Sequence, residues 1–265
     1  MPLTFVDSHA HLDMEEFDDD RNEVLQRARQ SGVIAVLCPA DLTNQKSIQT
    51  TLELIEKNKN IIASAGVHPH QAKLFKPDHV QKIEELAKEE KIVAVGEIGL
   101  DFFYEHSPPQ EQESAFRHQL AVAQKIGLPV IVHSRNSGMR TAHAAEEEHF
   151  TEGGVLHCFT EDWELAKHML DQNFYISFSG ILTFANADPL REVAQKIPLD
   201  KILVETDSPF LVPSPFRGRI KRNEPAYVIE TAKVLAELKK VSLGELAEIT
   251  TRNFETLFKF EIKKM

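Results

Sequence analysis

The stretch Phe5-Val6-Asp7-Ser8-His9-Ala10-His11-Leu12-Asp13 joins a short apolar run to two histidines separated by one residue. In an extended strand residues i and i+2 point to the same face, so His9 and His11 present two imidazoles side by side. That is about the spacing at which two nitrogens hold one divalent ion. The stretch is also the first of eight β-branched apolar runs, at 4–7, 33–38, 61–66, 92–97, 130–133, 154–157, 174–177 and 201–205. Segments of helical pattern follow nearly every run, at 18–31, 43–57, 77–88, 109–126, 137–149, 162–170 and 188–195, with 225–239 and 242–258 after the last. Helix starts carry their usual signals, such as Pro108-Pro109 before Glu111, and Ser242 with Glu245 three residues on.

Strand and helix alternating over the whole length imply a parallel sheet with helical crossovers. Eight such units, with continuously apolar strands and no Gly-x-Gly-x-x-Gly fingerprint after the first, favour a closed (β/α)8 TIM barrel over an open doubly wound sheet. The 265 residues suit one barrel, a fold that typically takes about 250. No linker or composition shift divides the chain, so residues 1–260 are expected to form a single domain, with a short polar tail at 261–265 that frays at its end.

With 42% hydrophobic residues the chain can bury a large core. The net charge of −11, from 41 acidic against 30 basic residues, argues against nucleic-acid binding over a broad basic surface. It leaves room for an enzyme that handles one phosphate at a time with metal ions and a few local cations. Cys38 and Cys158 make no disulfide framework and no zinc spacing, and are expected to be reduced, buried thiols. No apolar run approaches a membrane span and the N-terminus lacks a leader pattern, so a cytoplasmic protein is expected.

In a barrel the functional side chains come from the C-terminal ends of the strands and the loops after them. Those ends here read His9-Ala10-His11, Gly66-Val67-His68-Pro69-His70, Glu97-Ile98-Gly99-Leu100-Asp101, His133-Ser134-Arg135, His157-Cys158-Phe159 and Glu205-Thr206-Asp207. Half of the 12 histidines lie there, and the other six (His79, His106, His118, His143, His149 and His168) read as solvated surface groups. Polar groups that end apolar strands are costly to bury unless paired or metal-bound, so their convergence on one mouth points to metal.

Six candidate ligands, His9, His11, Glu97, His133, His157 and Asp207, are too many for one four-coordinate ion that also holds water, which favours two divalent ions with Glu97 as the bridge. The mixed nitrogen and oxygen set suits Zn, Mn, Fe, Ni or Co and, with open positions, Mg. A metal pair of this kind clamps both oxygens of a phosphodiester. The competing arrangement uses one ion on His9, His11, Asp207 and Glu97, with His133 and His157 on the substrate. Asp207 is the candidate catalytic base, with Glu205 two residues away as its catalytic helper, backing a ligand or orienting the water. His68 and Arg135 are the candidate substrate contacts, since phosphate oxygens want donors beside the metals. His70 and Asp101 are weaker candidates. Phe102-Phe103-Tyr104 can stack on bases. The segment Pro215 to Pro225, the one locally basic loop, is a candidate phosphate grip.

At these residues the chain resembles the TatD family of metal-dependent deoxyribonucleases, within the amidohydrolase-type barrels. The resemblance rests on Val6 to Asp13, Gly66 to His70, Val95 to Asp101 and Glu205-Thr206-Asp207-Ser208-Pro209, with Asn223-Glu224-Pro225 and Thr251-Arg252-Asn253-Phe254 near the end. It implies a TIM barrel, a dinuclear centre on His9, His11, Glu97, His133, His157 and Asp207, and hydrolysis of DNA phosphodiesters, often as a 3′→5′ exonuclease. The substrate it implies is DNA, single-stranded or at frayed ends, acted on by a chain expected to be monomeric. One departure is visible: the family's usual Arg-Gly-Lys-Arg-Asn-Glu-Pro here carries Arg219 and Ile220 inserted between Gly218 and Lys221. The alternative on the same scaffold is a hydrolase of a small ester, lactone or amide, and a third reading is a binding protein with a vestigial site, for which no ligand position is missing.

Overall fold

Strands buried on both faces read as continuous apolar runs, and all eight expected runs form strands: β1 (Phe5–Asp7), β2 (Val33–Asp41), β3 (Ile61–Gly66), β4 (Ala94–Asp101), β5 (Val130–Arg135), β6 (Gly154–Leu156), β7 (Phe174–Phe178) and β8 (Ile202–Val204). The computed structural model describes residues 3–263, so Lys264 and Met265 of the expected tail lie outside the described residues. Each strand pairs in parallel with the next, in the order β1 to β8. The seam between β8 and β1 is closed by backbone hydrogen bonds: Ser8 N–H donates to Val204 O (3.0 Å), Asp207 N–H to His9 O (3.0 Å) and His11 N–H to Ser208 O (2.8 Å). The fold is the (β/α)8 TIM barrel expected from the alternation.

The helices are α1 (Arg21–Gln30), α2 (Gln45–Lys57), α3 (Pro77–Lys88), α4 (Pro109–Ile126), α5 (Met139–Glu147), α6 (Trp163–Asp171), α7 (Asp188–Lys196), α8 (Val228–Lys239) and α9 (Leu243–Phe258). Caps fix several starts: Asn44 accepts the Lys46 amide, Asp162 that of Leu165 and Ser242 that of Glu245. Among the described residues no helix is long and apolar enough to cross a membrane. Both cysteines are free thiols, Cys38 buried and Cys158 half-buried.

Inward-facing residues stack in layers. Val6, Leu37, Ile62, Ala94, Ile131, Val155, Tyr175 and Leu203 form one cluster, against which α9 lays Phe254, Leu257 and Phe258. Two residues further along, the same inward face carries Ser8, Ser64, His133, His157, Ser177 and Glu205, so polarity begins one pleat above the apolar layer. The fourth strand breaks the period. Val95 pairs with Val130 and Ile98 with Val132, so β4 advances three residues where β5 advances two. This bulge turns Glu97 inward, whereas simple alternation would give it the outward face of Val95.

Past the bulge, β4 and β5 run very close. Gly99 has φ +136°, and a Cβ there would run into the carbonyl oxygen of His133. Gly99→Ala is therefore expected to destabilise the barrel by roughly 2–4 kcal/mol, read as a lower urea midpoint; an unchanged midpoint would contradict this packing.

The segment after β8 is tied to α1. Arg27 donates to both carboxylate oxygens of Glu224 (2.9 and 2.7 Å) and to Asp20 (3.0 Å), and Arg222 donates to both oxygens of Asp20 (2.7 Å each). Asn223 donates to Thr206 O at 3.0 Å. The chain's exit is held as well: Phe260 and Ile262 pack on the inward apolar cluster, and Asn60 exchanges two hydrogen bonds with the Lys263 backbone. Arg222 holds the Asp20 carboxyl down to about 2 against the cost of burial, with Arg27 adding to the effect. A depressed folded-state pKa means stability that is complete above about pH 4 and lost as pH falls toward 2. The urea midpoints of wild type and Asp20→Asn should thus differ at pH 6 and converge near pH 2; a gap independent of pH would assign the loss to something other than this charge.

Candidate metal centre

Glu97, turned inward by the bulge, is only 6% exposed and stands amid five imidazoles. Its Oε1 lies 2.7 Å from His157 Nε2, 3.1 Å from His68 Nε2 and 3.1 Å from His133 Nδ1. Its Oε2 lies 3.3 Å from His9 Nε2 and 3.6 Å from His11 Nε2. Asp207, from the loop after β8, brings Oδ1 to 3.4 Å from His11 Nε2 and 3.9 Å from His9 Nε2. All six residues expected as ligands converge.

Three groups have donor atoms within 4.8 Å of one another: His9, His11 and Asp207; His9, Glu97 and His157; His68, Glu97 and His133. The Nε2 atoms of His9 and His11 are 3.2 Å apart. Two imidazole nitrogens at 2.0–2.1 Å on a tetrahedral ion are about 3.3 Å apart, so the pair fits one divalent cation without rearrangement.

The charges agree with that fit. Burial works against ionising Glu97, but the fields of His157 and His68 and the hydrogen bonds of His133 and His157 hold its carboxyl well below the usual range. Asp207 is likewise lowered, burial being outweighed by His11. The carboxylates in turn draw protons: His11 rises to about 9 and His157 well above its ordinary value, both against the cost of burial. Burial pushes His68 down to about 4 and lowers His9, which leaves both as neutral imidazoles able to coordinate. Two carboxylates compensated by borrowed protons are what a divalent cation replaces on binding.

Supporting groups fix these rings. Asp101, fully buried, accepts from Nε2 of His70 (2.9 Å) and of His133 (3.1 Å), while its other oxygen accepts the amides of Phe103 (3.0 Å) and Tyr104 (2.9 Å). The His133 ring is thereby oriented toward Glu97, a role for Asp101 different from the weaker substrate contact expected of it. The signal was present: Asp101 follows Glu97 by four residues and so shares its face of the strand. Glu205 is fully buried beneath His157. One oxygen accepts the Cys158 amide (2.6 Å) and lies 3.4 Å from His157 Nδ1, near enough for charge attraction but not aligned for a hydrogen bond. Glu205 does not line the cavity; of the two positions expected for it, it occupies the one behind a ligand, His157. Asp7 accepts both the amide and the hydroxyl of Thr206 (2.9 and 2.6 Å), holding the residue next to Asp207.

The centre floors a cavity of about 690 Å³. His68 and Arg135, the expected substrate contacts, both line it, but His68 also enters a ligand group with Glu97 and His133. The basic loop is a correction. No residue from Pro215 to Pro225 lines the cavity: Arg222 is engaged by Asp20, and Arg217 lies 3.8 Å over the Phe184 ring. Arg222 and Arg217 are thus engaged within the fold, while Arg219 and Ile220 lengthen a loop outside the cavity. Among the histidines read as solvated, His106 stacks on Tyr104 at the rim (5.6 Å, 6°) and His168 pairs with Glu146 at 2.6 Å.

A TIM barrel with imidazoles and carboxylates converging at the C-terminal mouth is the architecture of a metal-dependent hydrolase. Comparison with known proteins narrows the class. The family described as TatD related DNase matches residues 6–259, and the chain belongs to it. It is 43% identical over 267 residues to a protein of Escherichia coli K12 named uncharacterized metal-dependent hydrolase YcfH, covering 99% of this chain and 98% of that one. It is 34% identical over 260 residues to a Klebsiella pneumoniae protein named 3'-5' ssDNA/RNA exonuclease TatD, covering 97% of this chain and 98% of that one. Among solved structures, the TatD homologue YjjV of Escherichia coli K12 superposes with a TM-score of 0.90 at 30% identity, covering 98% of this chain and all of that one.

Asp101→Asn removes one acceptor charge shared by two imidazoles. Competition with a chelator should show metal affinity reduced about 10- to 100-fold with the fold intact by circular dichroism; unchanged affinity would deny Asp101 its orienting role.

Proposed function

We propose that residues 1–260 act as one hydrolase unit, a metal-dependent 3′→5′ exonuclease on DNA that is single-stranded or frayed at its ends. The observation that carries the reading is the Glu97 carboxylate, whose Oε1 faces His68, His133 and His157 while Oε2 faces His9 and His11. The name of the Klebsiella pneumoniae relative supports the nucleic-acid substrate.

In this reading two divalent ions are held, one by His9, His11, Asp207 and Glu97, the other by Glu97, His133 and His157 with His68 beside them. Zn, Mg, Mn, Ni, Co and Fe all suit this donor set. Bound there, such ions lower the pKa of water and offset the charge of a phosphodiester. The chain's own groups do the rest. Asp207, ionised and facing the cavity, accepts the proton of the attacking water. Glu205 keeps His157 in orientation from behind. His68, where not engaged as a ligand, and the fixed charge of Arg135 hold phosphate oxygens.

The test is an oligodeoxynucleotide labelled at its 5′ end, incubated with Mg2+, Mn2+ or EDTA. A ladder shortening from the 3′ end, abolished by EDTA and reduced at least a thousandfold in Asp207→Ala and Glu97→Ala, is expected. Full activity in either variant would refute the assigned centre. A well-folded, metal-loaded protein that shortens no strand but cleaves small esters, lactones or amides would replace the exonuclease by that alternative.

A further inference from the structure

Phe103 and Tyr104 stand 59% and 49% exposed at the mouth of the barrel, a large apolar display for rings in a folded protein. They are held in place, because Asp101 accepts both of their amides. The Arg135 guanidinium lies over both rings, 4.2 Å from the Phe103 centroid and 4.6 Å from that of Tyr104. Arg135 is half-buried, and among the described residues no carboxylate pairs with it. Tyr104 stacks nearly parallel on His106 and stands edge-on to Phe103 (89°), so the ring with a face to spare is Phe103, beside a guanidinium without a carboxylate partner. Asp101 joins this side to the centre, since its other oxygen binds His70 and His133.

Elsewhere the cavity wall differs in charge, for Asp13, in the loop after β1, and Asp41, the last residue of β2, line it. Carboxylates repel a polyanion, so a strand with one phosphate at the centre leaves over the side that offers Arg135. Stacking on an aromatic face tolerates every base, as a processive or non-specific nuclease requires.

Resting on the exonuclease reading, we propose that Phe103, Tyr104 and Arg135 form the subsite for the nucleotide on the 5′ side of the cleaved bond. Its base stacks on the exposed Phe103 ring, which Tyr104 supports edge-on, and its phosphate pairs with Arg135. The terminal nucleoside, which brings no further phosphate, lies toward Asp13 and Asp41.

The test is steady-state kinetics of the Mn2+-loaded enzyme on two oligothymidylates, one intact and one with an abasic residue next to the 3′-terminal nucleotide. In wild type the abasic residue should raise KM about tenfold or more. The F103A/Y104A variant should show that raised KM already on the intact strand, with no further rise on the abasic one, while F103Y keeps the wild-type KM. A wild type indifferent to the abasic residue, or a variant that suffers the full abasic penalty on top of its own, overturns the subsite and leaves the exonuclease standing. A wild type that shortens neither strand under any metal overturns the exonuclease reading and the subsite together.

Discussion

The carboxylate of Glu97 reaches the middle of five imidazoles because β4 carries one residue more than β5 between Val95 and Ile98. Everything polar in the mouth answers to that placement. A carboxylate at 6% exposure is costly unless positive charge surrounds it, and the protons drawn onto His11 and His157 supply it. The imidazoles around Glu97 have acids on their far sides, Glu205 behind His157 and Asp101 behind His133. The result is a centre in shells, each charge offset by the one behind it, on a scaffold whose lower layer is wholly apolar.

Much of this was legible in the residues. Parallel strands covered on both faces leave runs of Val, Ile and Ala, so β3 and β5 start where the apolar pattern starts. The ligands stood out because histidines and acids ended those runs. What stayed hidden was the bulge, since Gly96-Glu97-Ile98-Gly99 looks like a strand ending at Glu97, whereas β4 continues to Asp101. The role of Asp101 was hidden with it. The basic loop from Pro215 to Pro225 was misread for another reason: the partner of Arg222, Asp20, lies 202 positions away, and no local pattern announces such a pair.

Asp101 also explains how a rim of exposed rings stays ordered. One carboxylate divides its two oxygens between the backbone of the ring-bearing turn and two imidazoles of the centre. The turn that meets solvent is thus held by the same carboxylate that aims His133, so rim and floor share one anchor.

The β8–β1 seam has a consequence for how the protein is made. The backbone of His9 and His11 bonds to that of Asp207 and Ser208, and the side chains of His9, His11 and Asp207 form one of the donor groups. The first and the last contributors are therefore separated by nearly two hundred residues of chain, and neither half of the group exists without the other. A nascent polypeptide emerging from the ribosome carries its first two histidines long before it carries the aspartate. A chain still short of Asp207 lacks one member of that donor group, so the assembly of the group waits on the eighth strand.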